Sequence, residues 1–183
     1  TSQSQKQKGD LYRWYVVGVL TFAYLVSFLD RQILALMVGP IQEDLMLSDT
    51  QISLLMGLAF SIFYIFMAVP LGRLADNSVR RNIIIGGVTL WSLMTAACGL
   101  AGSYWHLFLA RMGVGVGEAS LTPSATSMIA DYFPSGARGK ALATYNAGVS
   151  LGTGFAMVFG GLIITYVSTS ERHVLPVVGG VAA

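Results

Sequence analysis

The sequence of 183 residues predicts an all-α, polytopic membrane helical bundle, on the basis of its composition and its long apolar stretches. Hydrophobic residues make up 54% of the chain and charged residues 11%, whereas soluble domains carry about 25% charged residues. A helix needs about 20 mostly apolar residues to cross a bilayer, and five stretches reach that length. We therefore expect a membrane-lipid environment and no nucleic-acid partner.

The five predicted spans cover about residues 14–38, 52–71, 83–101, 105–130 and 141–167. Ser48 and Gln51 are spaced as a capping box that opens the second span, and Pro70 lies where that span should end. A sixth apolar stretch begins near Val174, and the ten residues from there onward are too few to span as a helix. The prediction is therefore five spans plus the start of a sixth.

The distribution of Lys and Arg predicts the orientation of the spans. Basic residues fall in the N-terminal segment and in every second loop: Lys6, Lys8, Arg13, Arg73, Arg80, Arg81, Arg138 and Lys140. Because such loops stay on the cytoplasmic side, we predict a multi-pass protein of the cell (inner or plasma) membrane with a cytoplasmic N-terminus. Residues 1–10 lack the apolar core of a signal peptide. They are predicted to be a disordered cytoplasmic tail, and residues 11–183 the transmembrane bundle.

Four ionisable residues interrupt the predicted spans and are the candidate functional residues. Asp30 and Arg31 lie in the first span, and Arg111 and Glu118 lie in the fourth. A charge at the bilayer centre costs about 2.5–3.5 kcal/mol on insertion scales, so such a side chain is expected to face a partner or a water-filled cavity. Arg111 and Glu118 are seven residues apart, which places them on one helix face. The pattern predicts one polar cavity between the first and fourth spans.

Two interpretations of this charged cluster stay open. One is a static salt bridge that holds two helices together, because opposite charges offset each other's burial. The other is a switching network in which Asp30 or Glu118 takes up a proton as its arginine partner moves. A metal centre or catalytic set is not expected, because His106, His173 and Cys98 lack ligand or nucleophile–base spacing. We accordingly predict no metal site, no cofactor and no enzymatic activity.

Small residues mark predicted contacts between helices. In the fifth span they recur at every fourth position: Gly148, Gly152, Ala156 and Gly160. Such a stripe lets helix backbones approach closely in lipid, so it predicts tight packing and allows a sliding interface. The fourth span contains Gly113, Gly115, Gly117 and Pro123. This second set predicts either a softened helix near Glu118 or ordinary membrane-helix composition.

The loop after the second span carries a charged pattern formed by Gly72, Asp76, Arg80 and Arg81. Asp76 could cap a helix N-terminus, where a negative charge is favoured, and topology alone would explain the arginines. The spacing resembles the GxxxDxxxRR signature between the second and third helices of the major facilitator superfamily. This resemblance implies that Asp76 and Arg80 belong to a cytoplasmic latch against the other half of that fold.

A closer resemblance is to the Spinster-like branch of that superfamily, over about residues 20–161. It is carried by Asp30 with Arg31 and by residues 47–51, 111–119 and 130–134. It implies the N-terminal half of a secondary active, proton-coupled transporter that moves a lysolipid-like or sphingoid-phosphate-like amphiphile by alternating access. The implied partners are membrane lipid, a small amphiphilic substrate, protons and the C-terminal half of the same transporter. The implied substrate and proton-coupling site consists of Asp30, Arg31, Arg111 and Glu118.

Two alternatives accompany this interpretation. Organic-anion/proton symporters of the same superfamily share the first-helix Asp-Arg pair and the fourth-helix arginine, so that Arg31 and Arg111 would bind a carboxylate. A non-transporting membrane scaffold is the other alternative. It would tolerate Asp30→Asn and Glu118→Gln with no loss beyond stability.

Overall fold

The computed structural model describes residues 2–178, with side chains described for residues 9–162, 165 and 166. Within that part of the chain no strand occurs, which confirms the predicted all-α class. The helices, in chain order, are α1 (Ser2–Leu36), α2 (Val38–Asp44), α3 (Asp49–Ser53), α4 (Ala59–Asn77), α5 (Arg80–Gly99), α6 (Tyr104–Glu118), α7 (Leu121–Tyr132) and α8 (Ser135–Val178). A π-helical turn, Leu54–Leu58, joins α3 to α4.

Three helical stretches in the described part of the chain are long and apolar enough to cross a bilayer. They are Gly9–Leu36, Asp49–Asn77 and Arg80–Gly99. These stretches correspond to the first three predicted spans. The fifth predicted span lies within α8, where several side chains fall outside the described set.

The predicted fourth span is divided into α6 and α7 by a turn at Ala119 and Ser120. Pro123 has no N–H group, and its ring would clash with the carbonyl four residues earlier, that of Ala119, which disfavours a regular helix here. The Ser120 hydroxyl donates to the Gly117 carbonyl at 2.8 Å and supplies a local partner. The expectation of one uninterrupted span over residues 105–130 is therefore wrong at this turn.

Both ends of the predicted bundle differ from expectation. The disordered tail predicted over residues 1–10 is replaced by the first turns of α1, which begins at Ser2. Gln and Lys are frequent in that segment, and both are good helix formers.

At the other end, α8 continues to Val178 without the turn predicted between a fifth and a sixth span. Residues 168–173 contain neither Gly nor Pro, so no stop signal interrupts them. Residues 179–183 of the predicted sixth stretch lie outside the described residues.

Helix α6 packs against both α4 and α5, whereas α8 packs along α1. Glycines make the contacts of α6 close. A Cβ atom on Gly115 would lie 2.7 Å from the Phe60 carbonyl oxygen, and one on Gly117 would lie 2.7 Å from the Trp91 backbone nitrogen. Because a Cβ atom needs more room than this, both positions exclude any side chain. These glycines therefore serve helix packing, a role distinct from the softening considered from the sequence.

Two buried apolar clusters hold the helices together. The first joins α1, α7 and α8 through Val17, Leu20, Ala125, Ile129, Phe133, Ala141 and Tyr145. The second joins α4, α5, α6 and α7 through Phe60, Trp91, Val114 and Leu121. The partly buried Tyr24 of α1 packs against both clusters. Tyr24 therefore links the two clusters on the helix that carries Asp30 and Arg31.

The capping box predicted at Ser48 is confirmed. The Gln51 backbone N–H donates to Ser48 Oγ at 3.3 Å, and the Ser48 N–H donates to Gln51 Oε1 at 3.0 Å. Ser48→Ala is therefore expected to lower the free energy of unfolding by about 1 kcal/mol. Thermal unfolding of the protein in detergent would measure the loss, with Thr50→Ala, at an exposed position, as the control. An equal loss in both variants would contradict the capping role.

Candidate functional site

Helices α1 and α6 bring Arg31 and Glu118 into direct contact. The Arg31 Nε–H group donates to Glu118 Oε2 at 2.6 Å, and a second guanidinium nitrogen forms an ion pair with the same oxygen. Ser27, one turn before Arg31, donates its hydroxyl to Glu118 Oε2 at 2.8 Å. Glu118 is 1% exposed. Its charge is therefore compensated by these partners and not by solvent.

Aromatic rings surround the guanidinium group of Arg31. Its Cζ atom lies 4.8 Å from the ring centroid of Phe28 and 4.6 Å from that of Phe60. The ring of Tyr64 lies 5.3 Å from the same atom. Phe60 is also 5.2 Å from Arg111 Cζ, so one ring on α4 contacts both arginines. Such cation–π contacts contribute about 0.5–2 kcal/mol each, and they make α4 a wall of the site.

Asp30 and Arg111 line a cavity of about 360 Å³ between α1, α2, α5 and α6. Thr95 on α5 donates its hydroxyl to Asp30 Oδ2 at 3.3 Å, and Cys98 lines the cavity one turn further along. Most of the remaining lining is apolar: Ile33, Leu34, Met37, Ile41, Leu45 and Leu107. The cavity therefore offers both charged groups and an extended apolar wall to a ligand.

Two buried polar atoms at the site have no hydrogen-bond partner among the described residues: Glu118 Oε1 and Arg111 Nε. Arg111 is 5% exposed, and a buried polar atom without a partner costs about 1–3 kcal/mol. A polar ligand group that reached either atom would remove that cost. The region around the two arginines is therefore suited to binding and is not a fully satisfied structural core.

The structure places the four predicted site residues in two groups. Arg31 and Glu118 form the ion pair between α1 and α6, and Asp30 and Arg111 share the cavity lining. Among the side chains that the structure describes, no ion pair involves Asp30. The two carboxylates thus have different surroundings, since one meets a cation directly and the other meets a neutral hydroxyl.

Sequence reasoning missed the contributions of α4 and α5, which are Phe60, Tyr64, Thr95 and Cys98. Aromatic residues, threonine and cysteine are ordinary in an apolar span, so none of these four residues stands out in the sequence. One usable signal was helical spacing, because Thr95 and Cys98 are three residues apart and share a face. Nothing local connects that face to Asp30, which is 65 residues away.

The charged loop after α4 makes contacts that differ from those predicted. Asp76 is exposed in the last turn of α4, and α5 follows Val79 without a side-chain cap. Because Asp76 still belongs to the preceding helix, it lies too early in the chain to occupy the cap position, and the capping prediction is wrong. Arg80 donates to the Ala75 carbonyl at 3.3 Å and forms an ion pair with Asp131 of α7. Arg80 thereby connects α4, α5 and α7 at this end of the bundle.

Along its contact with α1, α8 presents the small-residue stripe of Gly148, Gly152, Ala156 and Gly160. A Cβ atom on Gly148 would lie 2.7 Å from the Thr21 carbonyl oxygen, and one on Gly152 would lie 2.5 Å from that of Leu25. The two backbones are therefore close enough to exclude side chains at both glycines. This contact holds α1, and with it Asp30 and Arg31, in place.

Comparison with known proteins shows the family of the chain. The profile of the Major Facilitator Superfamily matches residues 20–182. The chain is 35% identical over 150 residues to an MFS-type efflux pump of Mycolicibacterium smegmatis, covering 82% of this chain and 35% of that protein. It is 34% identical over 134 residues to a probable L-galactonate transporter of Escherichia coli, covering 73% of this chain and 29% of that protein. It is 30% identical over 147 residues to human Protein spinster homolog 1, covering 79% and 28%. The chain spans about a third of the length of these relatives.

Two solved structures share the fold, and both are of a bacterial homologue of the human lysosomal transporter Spinster in an inward-facing conformation. The unoccupied form is 43% identical with a TM-score of 0.79, and covers 82% of this chain and 32% of that chain. The occupied form is 40% identical with a TM-score of 0.81, and covers 92% and 36%. The relatives named here are transporters or efflux pumps and not enzymes. The predicted fold and resemblance are thus confirmed, and the chain belongs to the Major Facilitator Superfamily as a Spinster-like member.

Proposed function

We propose that this chain is part of a secondary active transporter that moves a lysolipid-like or sphingoid-phosphate-like solute by alternating access. The observation that carries the proposal is the cavity in which Asp30 and Arg111 share one space with an apolar wall. A guanidinium group suits the phosphate of an amphiphile, and the apolar lining suits its hydrocarbon tail. The similarity to a bacterial homologue of the human lysosomal transporter Spinster supports membrane transport as the activity.

Proton coupling is part of the proposal, and it rests on the ion pair between Arg31 and Glu118. Movement of α1 relative to α6, or binding of an anionic head group to Arg31, would leave a buried carboxylate without its cation. An isolated buried charge is strongly unfavourable, and proton uptake removes it. Asp30, beside Arg111 in the cavity, is a second carboxylate that can respond in the same way.

The proposed orientation places the N-terminus in the cytoplasm of a cell membrane, with the loop between α4 and α5 on the same side. Of the two residues of the proposed latch, Arg80 forms an ion pair with Asp131. The carboxylate of Asp76 is exposed, so it is accessible to the C-terminal half of the transporter. Contact there would close the cytoplasmic side of the cavity during alternating access.

Transfer assays in proteoliposomes test the transport proposal. The full-length protein would be reconstituted, and movement of a fluorescent lysophosphatidylethanolamine across the bilayer would be followed with and without a proton gradient. Gradient-driven transfer is expected, and we expect Asp30→Asn and Glu118→Gln to abolish it. The control is Glu43→Gln, because Glu43 is an exposed carboxylate outside the site. Transfer that survives both site substitutions with full proton dependence would contradict the coupling mechanism.

An organic-anion/proton symporter is a second candidate, because Arg31 and Arg111 both lie against the Phe60 ring. Two guanidinium groups so placed could bind a small carboxylate, and one relative carries the name of a probable L-galactonate transporter. Direct assays of both solutes separate the candidates: the protein should transfer lysolipid and take up no galactonate if the first proposal holds, and should take up galactonate and transfer no lysolipid if this alternative holds. A non-transporting scaffold would move neither solute although the protein is folded.

A further inference from the structure

We infer that Thr95 of α5 is a positioning residue for Asp30, and that it sets the pH range in which the cavity works. The inference rests on the proposed proton-coupled function. Residues 82–99 of α5, none of which is charged, contribute one wall of the cavity. Thr95 and Cys98 both line it, opposite Asp30 and Arg111.

The hydrogen bond of Thr95 has a different kind of acceptor from those of Thr89, Thr126 and Thr144. Each of those three donates to a carbonyl oxygen about one turn earlier in its own helix, as threonine often does in membrane helices. Thr95 donates instead to Asp30 Oδ2 on α1, at 3.3 Å. Its hydroxyl therefore serves a contact between helices and not its own backbone.

This hydroxyl is also what distinguishes the surroundings of the two carboxylates. Glu118 accepts from Arg31 and from Ser27, and it pairs with a full positive charge. Among the described side chains, Asp30 accepts from Thr95 and forms no ion pair. A neutral donor holds a carboxylate in a defined direction without neutralising it. Asp30 is thus oriented within the cavity while its charge stays available to a proton or a ligand.

The charged and titratable groups around Asp30 come from each neighbouring helix. Arg111 lines the cavity from α6, Cys98 from α5 and Asp44 from α2. Arg31 follows Asp30 on α1, and Glu118 of α6 is close enough to repel the Asp30 carboxylate. A change in the direction of the Asp30 carboxylate alters its distance to all of them at once. Because the β-branched side chain of threonine has few rotamers, Thr95 is well suited to set that direction.

The pH profile of transfer distinguishes positioning from simple packing. Thr95→Val keeps the shape of the side chain and removes the donor, whereas Thr95→Ser keeps the donor. In the proteoliposome assay with fluorescent lysophosphatidylethanolamine, we expect Thr95→Val to move the half-maximal pH upward by about half a unit or more, since a donor to the charged carboxylate has been lost. Thr95→Ser keeps the donor and loses only the β-branch, so its profile should lie much closer to that of the wild-type protein than the profile of Thr95→Val does. An unchanged profile in Thr95→Val, or equal shifts in both variants, would overturn the inference.

A second measurement does not depend on transport. Cys98 lines the same cavity, so the rate at which it reacts with a membrane-permeant maleimide reports on Asp30 in a full-length protein whose other cysteines have been replaced. Removing the nearby negative charge favours the reactive thiolate. Asp30→Asn removes that charge, and Thr95→Val favours the protonated, neutral form of Asp30 because the carboxylate has lost a donor. Each variant is therefore expected to raise the rate by at least about twofold, the fold-change that corresponds to the weakest coupling between contacting residues.

The combination of the two substitutions decides whether Thr95 acts through Asp30. If it does, the double variant should label at the rate of Asp30→Asn alone, because the threonine has nothing left to position. If the rate increases of the two single variants multiply in the double variant, Thr95 and Asp30 act independently, and the inference is overturned. If the wild-type protein shows no gradient-driven transfer, the proposed function fails, and the labelling comparison still decides the role of Thr95.

Discussion

Gly152→Ala is expected to lower the free energy of unfolding by about 1–3 kcal/mol, because the added Cβ atom overpacks the contact between α1 and α8. That atom would lie 2.5 Å from the Leu25 carbonyl oxygen and 2.9 Å from Phe28 Cβ. Backbone atoms cannot move aside as a flexible side chain can, so the two helices would have to separate. Thermal unfolding of the full-length protein in detergent, followed by tryptophan fluorescence, would measure the loss.

Gly154→Ala provides a matched control two residues away on the same helix. A Cβ atom on Gly154 would meet nothing within 4 Å. Alanine is the better helix former by about 1 kcal/mol, so this variant is expected to be as stable as the wild-type protein or more stable. Equal destabilisation by both substitutions would show that the stripe does not act through contact with α1.

Removal of one partner from the ion pair between Arg31 and Glu118 is expected to destabilise the protein by about 3–5 kcal/mol, because it leaves the other charge buried and unpaired. Arg31→Met and Glu118→Leu make this change from the two sides with side chains of similar bulk. The double variant is expected to be more stable than either single variant, since no unpaired charge remains. Chemical unfolding of all four proteins gives the coupling energy directly.

The exposed pair Arg13 and Asp10, at 3.0 Å, is the control for this cycle. Solvent screens such a pair, so Arg13→Gln is expected to change the free energy of unfolding by about 0–1 kcal/mol. Additive losses in the Arg31→Met and Glu118→Leu double variant would contradict direct pairing. A stable double variant that no longer transfers lysolipid would instead separate the structural contribution of the pair from its proposed role in coupling.

The sequence predicted the helical class and the first three spans because these properties are local. Apolar length identifies a span, and a Ser and a Gln three residues apart identify the start at Ser48. Apolar length did not predict where a helix is interrupted or where it continues. Pro123 divides the fourth span at Ala119 and Ser120, and the polar segment 168–173 does not stop α8. At Pro123 the missing N–H group and the ring disfavour a regular helix, and over residues 168–173 no Gly or Pro ends one. Mean hydropathy, from which the spans were predicted, reports neither property.

The candidate site was predicted only in part, because the sequence marks its charged residues and not their neutral neighbours. A charge in an apolar span stands out, so Asp30, Arg31, Arg111 and Glu118 could be recognised one by one. Phe60 and Thr95 could not, because neutral side chains in a membrane helix carry no such signal. Their importance comes from contact with Arg31, Arg111 and Asp30 across large distances along the chain.

The amino-acid sequence alone therefore determined that this is a helical membrane protein with the signatures of its superfamily, since composition and motif spacing are readable along the chain. Only the tertiary structure decided that Arg31 pairs with Glu118, while Asp30 faces Thr95 in the cavity that Arg111 also lines. The physical reason is that pairing depends on the rotation and depth of each helix relative to its neighbours. Those quantities are set by close contacts such as Gly152 against Leu25, which no periodic pattern specifies.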